Sequence, residues 1–418
     1  MTYVSELVSQ VAGSLMRNKL RSFLTMAGIA WGLASIVIIV AMGDGFKEGQ
    51  RNNMKTLGEN LAIVFGGRTE LQAGGQRAGR RIRLNYSDVE NMRRECYAVS
   101  LVTPELQGNV RATSPYNSGS FDVSGVEPEF NQLRTIPIAE GRFVSPEDER
   151  TAARVCIIGE DVNKQLFGNR LNRLGTTIAI NSLPFRVVGI LANKNQNSSY
   201  SGMDEKKIFL PYSTMARDVP PKTYYVPGYL DEILYRPRSL EDYETAQDQV
   251  KRVIARDHEF DPRDKGAIGI WDTVEDQQQV AEIFDSMTMF LGFIALVTLS
   301  LGGIGVMNIM LVTVSERTRE IGLRKALGAT RSRILADFLS EGCVLAFASG
   351  AVGWSVAFGL SSLLKLFPMP PMFPGLPVSE STTAAAFGAL AVIAILSAIV
   401  PAWKAASLTP VEALRYER

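Results

Sequence analysis

The chain has 418 residues, a formal net charge of +1 and a single histidine, His258. A near-neutral balance gives no electrostatic footprint for nucleic acid, and a lone histidine without clustered cysteines or carboxylates gives no set of metal ligands. The average of 21% charged residues hides four windows without one Asp, Glu, Lys or Arg: 23–41, 286–314, 342–364 and 381–403. Each reaches the roughly 20 residues needed to cross a bilayer as a helix, so the expected class is an α+β membrane protein with four transmembrane helices.

Residues 1–21 place Val4, Leu7, Val8, Val11 and Leu15 at helical spacing and close on Arg17, Lys19 and Arg21. That is the pattern of an amphipathic helix lying on the cytoplasmic face of a membrane, in contact with lipid. The first span, 22–44, has an apolar run too long for a secretory signal and is expected to stay in the protein. Residues 45–60 carry the helix onward without a proline. Residues 273–285 approach the second span in the same manner, from an N-cap at Asp272 or Thr273 with Glu275 and Asp276 in the first turn. The two segments are expected to leave the membrane together as a stalk, each rising on the order of 20 Å.

The insert between the first two spans reads as a large extracytoplasmic α+β domain of two subdomains. Residues 61–108 and 231–272 each give a strand, a helix and a strand, and the two βαβ-type units are expected to pack as one subdomain. Ser87 is the expected cap of the first of those helices. Residues 109–230 alternate apolar and polar in short runs and form a β-rich second subdomain. The stretch 66–81 is rich in glycine and arginine; with no helix following in register it reads as a mobile loop rather than a phosphate cradle. Cys96 and Cys156 lie in this insert, and their pairing is left open by two cysteines alone.

The second span, 286–314, runs into "SERTREIGLRKALGAT", which holds Glu316, Arg317, Arg319, Glu320, Arg324 and Lys325. This dense segment, 315–333, is expected to be a stiff helix with Glu316–Arg319 and Glu320–Arg324 pairs, stopped by Gly328. Its basic residues, with Arg331 and Arg333, outweigh the single Lys365 of the next loop, which places it and both termini in the cytoplasm. The third span covers 334–364, a proline-rich outer loop 365–380, and the fourth span 381–403. In the tail, 404–418, Thr409, Pro410 and Glu412 form a capping box with proline at the first helical position.

No G-x-x-x-x-G-K-[ST] loop, G-x-S-x-G elbow or H-E-x-x-H motif occurs, so no catalytic residue, cofactor or metal site is expected here. The span interiors carry no ionisable group, which argues against ion-driven transport and leaves energy to a partner.

The segments "NKLRSFLTMAGIAWGLASIVIIVAMGDG", "NIMLVTVSERTREIGLRKALGATRSRILADFL" and "VPAWKAASLTPVEALR" resemble the permease part of MacB-type ABC transporters, within the wider group of LolC/LolE and FtsX permeases. The resemblance implies a permease that works by mechanotransmission, relaying ATP-driven movement along the stalk to outer domains. It maps Glu316, Arg317, Arg319, Glu320, Arg324, Lys325 and Gly328 onto the helix that couples to an ATPase. MacB-type proteins carry a fused ATPase domain ahead of the first span, which this sequence does not show. The expectation is therefore a separate ABC ATPase subunit that binds the ATP and magnesium, a homodimeric permease in the cell inner membrane, and possible engagement of a periplasmic adaptor and an outer-membrane duct. The competing expectation is an FtsX-like signal relay that controls an extracytoplasmic partner such as a cell-wall hydrolase.

Overall fold

The computed structural model describes residues 19–414 apart from 59, 74, 169–172, 195, 197–198, 222–225, 227 and 371–372. The expected amphipathic helix over 1–21 lies outside these residues, save for 19–21. Two compact units divide the chain: an αβ unit, Gln50–Val280, and a helical unit made of the residues up to Gly49 and from Ala281 onward.

Helix α1 (Lys19–Leu57) opens the described chain. The αβ unit follows, with β1 (Ala62–Gly66), α2 (Tyr86–Glu95), β2 (Val99–Thr113), β3 (Ser118–Val126), α3 (Phe130–Arg134), β4 (Ile138–Gly141), α4 (Pro146–Thr151) and β5 (Val155–Ile158). It continues through α5 (Glu160–Phe167), β6 (Thr177–Ile180), β7 (Leu183–Leu191), β8 (Lys207–Pro211), α6 (Tyr212–Asp218), β9 (Glu232–Pro237), α7 (Tyr243–Asp257) and β10 (Ile268–Asp272).

One sheet holds all ten strands in the order β10-β1-β9-β2-β3-β8-β5-β7-β4, with β6 pairing β2 and β7. Strand β9 lies between β1 and β2, antiparallel to both, and β1 lies between β10 and β9 in the same manner. Each strand–helix–strand unit therefore straddles a strand of the other, and the two ends of the insert interlock. The middle of the insert continues the same sheet because β2 is 15 residues long and pairs first with β9 and then with β3.

The period-2 alternation of the strands gives each face of the sheet its own core. Val64, Ile233 and Tyr235 face Val89 and Met92 of α2 and Val250 and Ile254 of α7. Ile63 and Leu234 face the opposite way and pack with Phe130, Leu133, Leu61 and Leu57, the last residue of α1.

Several local expectations change. Asn85, not Ser87, caps α2: its side chain accepts from the Asp88 N–H, and Asp88 accepts from the Asn85 N–H in return. The cap falls two residues earlier because Tyr86 already has helical geometry. The described residues of the stretch 66–81 form a hairpin-like excursion bridged at Arg68–Arg81 and Ala73–Gln76. Asp264 holds it by accepting from the Glu70 and Leu71 N–H groups, both at 2.8 Å. Cys96 and Cys156 are buried free thiols, so no disulfide joins them.

The helical unit adds α8 (Thr273–Glu316), α9 (Thr318–Ala326), α10 (Arg331–Leu364), α11 (Glu380–Ser407) and α12 (Pro410–Leu414). Four helices, from α1, α8, α10 and α11, are long and apolar enough to cross a membrane. Ile29 and Leu33 of α1, Leu299 and Val306 of α8, Leu345 of α10 and Leu390 of α11 form their shared core. Small residues let the backbones approach, as is usual where lipid removes the hydrophobic drive between helices. At Gly353 an added Cβ would meet the Ala30 carbonyl at 2.2 Å.

Helices α1 and α8 remain side by side beyond the charge-free windows, where Phe46 stacks on Phe284 at 5.1 Å and Lys47 pairs with Asp285. The proline-rich segment folds back on this end of the unit. Phe373 packs on Phe46 at 4.8 Å, and the Ser361 hydroxyl donates to the Leu376 carbonyl at 2.6 Å.

Candidate coupling site

Helix α8 ends at Glu316 and α9 begins at Thr318, so the charged segment is a separate short helix set off by a break at Arg317. The break explains why Glu316 and Arg319 form no ion pair: they do not share one continuous helix face, and the i,i+3 geometry expected from spacing is lost. Glu320 and Arg324 do pair, at 2.5 Å across one turn.

Gly328 ends α9 as the sequence implies. It takes φ +99°, its N–H donates to the Lys325 carbonyl at 3.0 Å, and the Ala329 N–H donates to the Arg324 carbonyl at 3.0 Å. This is the complete Schellman pattern, and it needs a residue without a Cβ.

Two residues expected to face a partner turn inward instead. Lys325 donates to the Ala406 carbonyl and, at 2.7 Å, to the Leu408 carbonyl. A cation there satisfies carbonyls left open at the C-terminus of α11 and complements its dipole. Partial burial pulls the Lys325 ammonium down from the usual lysine range. Arg317 pairs with Glu341 of α10 at 3.3 Å, and the Glu341 side chain is only 7% exposed. Sequence reasoning missed Glu341, although it is the last charge before the third charge-free window.

A third tie is steric. Ile321 and Gly322 are buried, and a Cβ on Gly322 would lie 2.4 Å from that of Ala413 in α12. Helix α12 begins after Thr409 with Pro410 in its first turn, and the Ala413 N–H donates to the Thr409 carbonyl at 3.0 Å. The Glu412 side chain lies outside the described residues, and with it the second half of the expected capping box. Helix α9 is thus fixed to α10, α11 and α12 by an ion pair, a lysine cap and a close contact.

Its remaining face points outward. Arg319, Leu323 and Leu327 are exposed at i, i+4 and i+8 together with Glu320, as are Glu316 at the end of α8 and Val411 of α12. Leu327 is 81% exposed and Val411 76%. That face offers one arginine, two glutamates and two leucines to the surroundings. Among the described residues no group of three His, Cys, Asp or Glu side chains could hold a metal ion.

Comparison with known proteins finds two family domains along the chain. Residues 22–253 match the MacB-like periplasmic core domain, and residues 292–410 match the FtsX-like permease C-terminal domain. The macrolide export ATP-binding/permease protein MacB of Bdellovibrio bacteriovorus is 33% identical over 405 residues, which cover 97% of this chain and 60% of that protein. The pyoverdine export ATP-binding/permease protein PvdT of Pseudomonas entomophila is 35% identical over 401 residues, covering 96% and 58%. The chain spans about three-fifths of the length of the curated relatives it matches. Among solved structures, the periplasmic region of MacB from Actinobacillus actinomycetemcomitans aligns with a TM-score of 0.43 and 19% identity, over 55% of this chain and 95% of that one.

Proposed function

The chain belongs to the MacB-like family of ABC transporter permeases, and from that premise we propose that it is the permease of an ATP-driven exporter working by mechanotransmission. ATP-binding domains lying outside these 418 residues dock on the exposed face of α9 and move it. Helices α1 and α8 carry the movement to the αβ unit, which acts on substrate beyond the bilayer. The excess of Arg and Lys in 315–333 supports an inner-membrane orientation with both termini and α9 in the cytoplasm. Export is the activity stated in the relatives' names. A second copy of the chain, a periplasmic adaptor and an outer-membrane duct complete the proposed assembly.

The observation that carries this reading is the anchoring of α9. A loop that only set topology would need neither the Arg317–Glu341 pair, nor the Lys325 cap, nor an outward leucine face on a stopped helix. A helix that receives force needs all three.

The test uses the chain purified from its native host together with the ATP-binding polypeptide. Addition of ATP and magnesium is expected to change amide hydrogen exchange within the αβ unit. Arg319→Glu combined with Leu327→Asp, both at exposed positions, is expected to reduce that change roughly tenfold while membrane insertion persists. An undiminished response in this variant would show that α9 is not the docking element.

A further inference from the structure

Among the ionisable residues that the αβ unit buries, six gather around Arg134 and Glu105. Arg134, Asp204, Lys194, Glu105, Lys207 and Glu232 all have side chains or residues less than 10% exposed. Burying so many ionisable groups costs free energy even when they are paired, and an apolar core of the same shape is often as stable. Their arrangement shows what they join.

Arg134, 1% exposed, stands at one end. Its Nη1 donates to the Leu57 carbonyl at 2.9 Å, at the last residue of α1, where a helix leaves carbonyls open and favours a cation. Its Nη2 donates to Asp204 at 2.7 Å, and its guanidinium lies 4.9 Å over the Tyr200 ring. Lys194 braces the same point by donating to the Arg134 carbonyl at 2.7 Å.

From Tyr200 the network crosses the middle of the sheet. The Tyr200 hydroxyl donates to Glu105 on β2, which also accepts from Ser124 on β3 at 2.7 Å. Lys207, at the start of β8, lies 3.8 Å from Glu105. Glu232 on β9 stands directly opposite Glu105 in the strand register. Two ionised carboxylates opposite each other would be unfavourable; the network as a whole spans four adjacent strands, β9, β2, β3 and β8, with Ser124 as its β3 member. Beside this network, the Thr273 N–H and hydroxyl both donate to the Leu61 carbonyl, at 3.0 and 2.8 Å, which fixes the first residue of α8 to the chain just beyond α1.

We propose that Arg134 is the positioning residue that couples the end of α1 to the central strands of the αβ sheet, so that displacement of that helix end reaches β2, β3, β8 and β9 through a polar joint. Apolar contacts around Leu57 can slide; a guanidinium held by a carbonyl, a carboxylate and an aromatic face has one geometry. The coupling role rests on the mechanotransmission reading above, whereas the fastening of Leu57 does not.

The experiment measures amide hydrogen exchange across the full chain, purified with its ATP-binding polypeptide, in the wild type and in Arg134→Met, Arg134→Lys and Tyr200→Phe variants. Without nucleotide, Arg134→Met is expected to raise exchange in residues 50–57 about tenfold or more, the effect of losing a charge-assisted hydrogen bond, while β1 stays protected. With ATP and magnesium, the change in exchange at β2 and β8 is expected to be lost in Arg134→Met. Arg134→Lys keeps one donor and is expected to restore part of both effects. Tyr200→Phe keeps the fastening of Leu57 but cuts the path to Glu105, so it is expected to weaken the ATP response alone. Unchanged exchange at 50–57 in both Arg134 variants, or an intact ATP response in Arg134→Met, would overturn the proposal. Should Arg134→Met fail to fold, an ATP response of wild-type size in both Arg134→Lys and Tyr200→Phe would overturn it equally. An absent ATP response in the wild type, with 50–57 still loosened by Arg134→Met, would instead sink the mechanotransmission reading and the coupling role with it.

Discussion

Glu105 and Glu232 face each other on β2 and β9, and burial with a neighbouring carboxylate holds Glu232 protonated well above the usual carboxylate range. A carboxyl whose folded pKa is raised stabilises the fold fully below its unfolded pKa and loses that contribution as pH rises above it. Gln107 donates to Glu232 at 2.7 Å, a bond that a glutamine carbonyl can also accept. Glu232→Gln is therefore expected to stabilise the αβ unit by about 1 kcal/mol or more near pH 7.5, with the gain shrinking toward pH 5. Denaturant titration at both pH values checks this, and a gain that is the same at both would show that Glu232 does not carry the proton. The free thiols follow the same logic of desolvation: burial pushes Cys96 up to about 11 and raises Cys156 further, so neither is a reactive thiolate at neutral pH.

At the scale of elements, α9 behaves as a rider fastened to three helices, and the fastening to α12 depends on one missing methyl. Gly322→Val would drive side-chain atoms into Ala413. The expected result is displacement of α12 at a cost of about 1–3 kcal/mol, read as faster proteolysis and amide exchange over residues 408–414. Equal protection in the variant and the wild type would mean that the Gly322–Ala413 contact does not hold α12 in place. Helix α8 shows the opposite design: 44 residues without an internal break, ending where Arg317 turns away to Glu341.

The whole molecule contains separate cores. The helical unit is built around Ile29, Leu299, Leu345 and Leu390, and the αβ unit around the two faces of its ten-stranded sheet. Cooperativity follows shared packing, so the two units are expected to unfold in distinct steps. In the full chain in detergent, urea should open the amides of the αβ unit before those of α10 and α11, as followed by hydrogen exchange. One coincident transition across both units would contradict this. The family domains are cut differently from the packing units: one matches residues 22–253, which takes in the first span as well as most of the αβ unit, and the other residues 292–410.

The sequence by itself determined whatever depends on near neighbours. Four charge-free windows decided four apolar helices, because a helix must satisfy its own backbone in lipid. Alternation decided the strands, and a glycine after "LRKAL" decided where α9 stops. It could not place charges whose partners are remote in the chain. The resemblance assigned Arg317 and Lys325 to the coupling helix; folding gave one to Glu341 and the other to the carbonyls of Ala406 and Leu408. Arg134 carried no local signal at all, since it lies 77 residues from Leu57 and 70 from Asp204. Local propensity acts over a few residues, whereas the partner of a buried charge is chosen by which segments the core brings together.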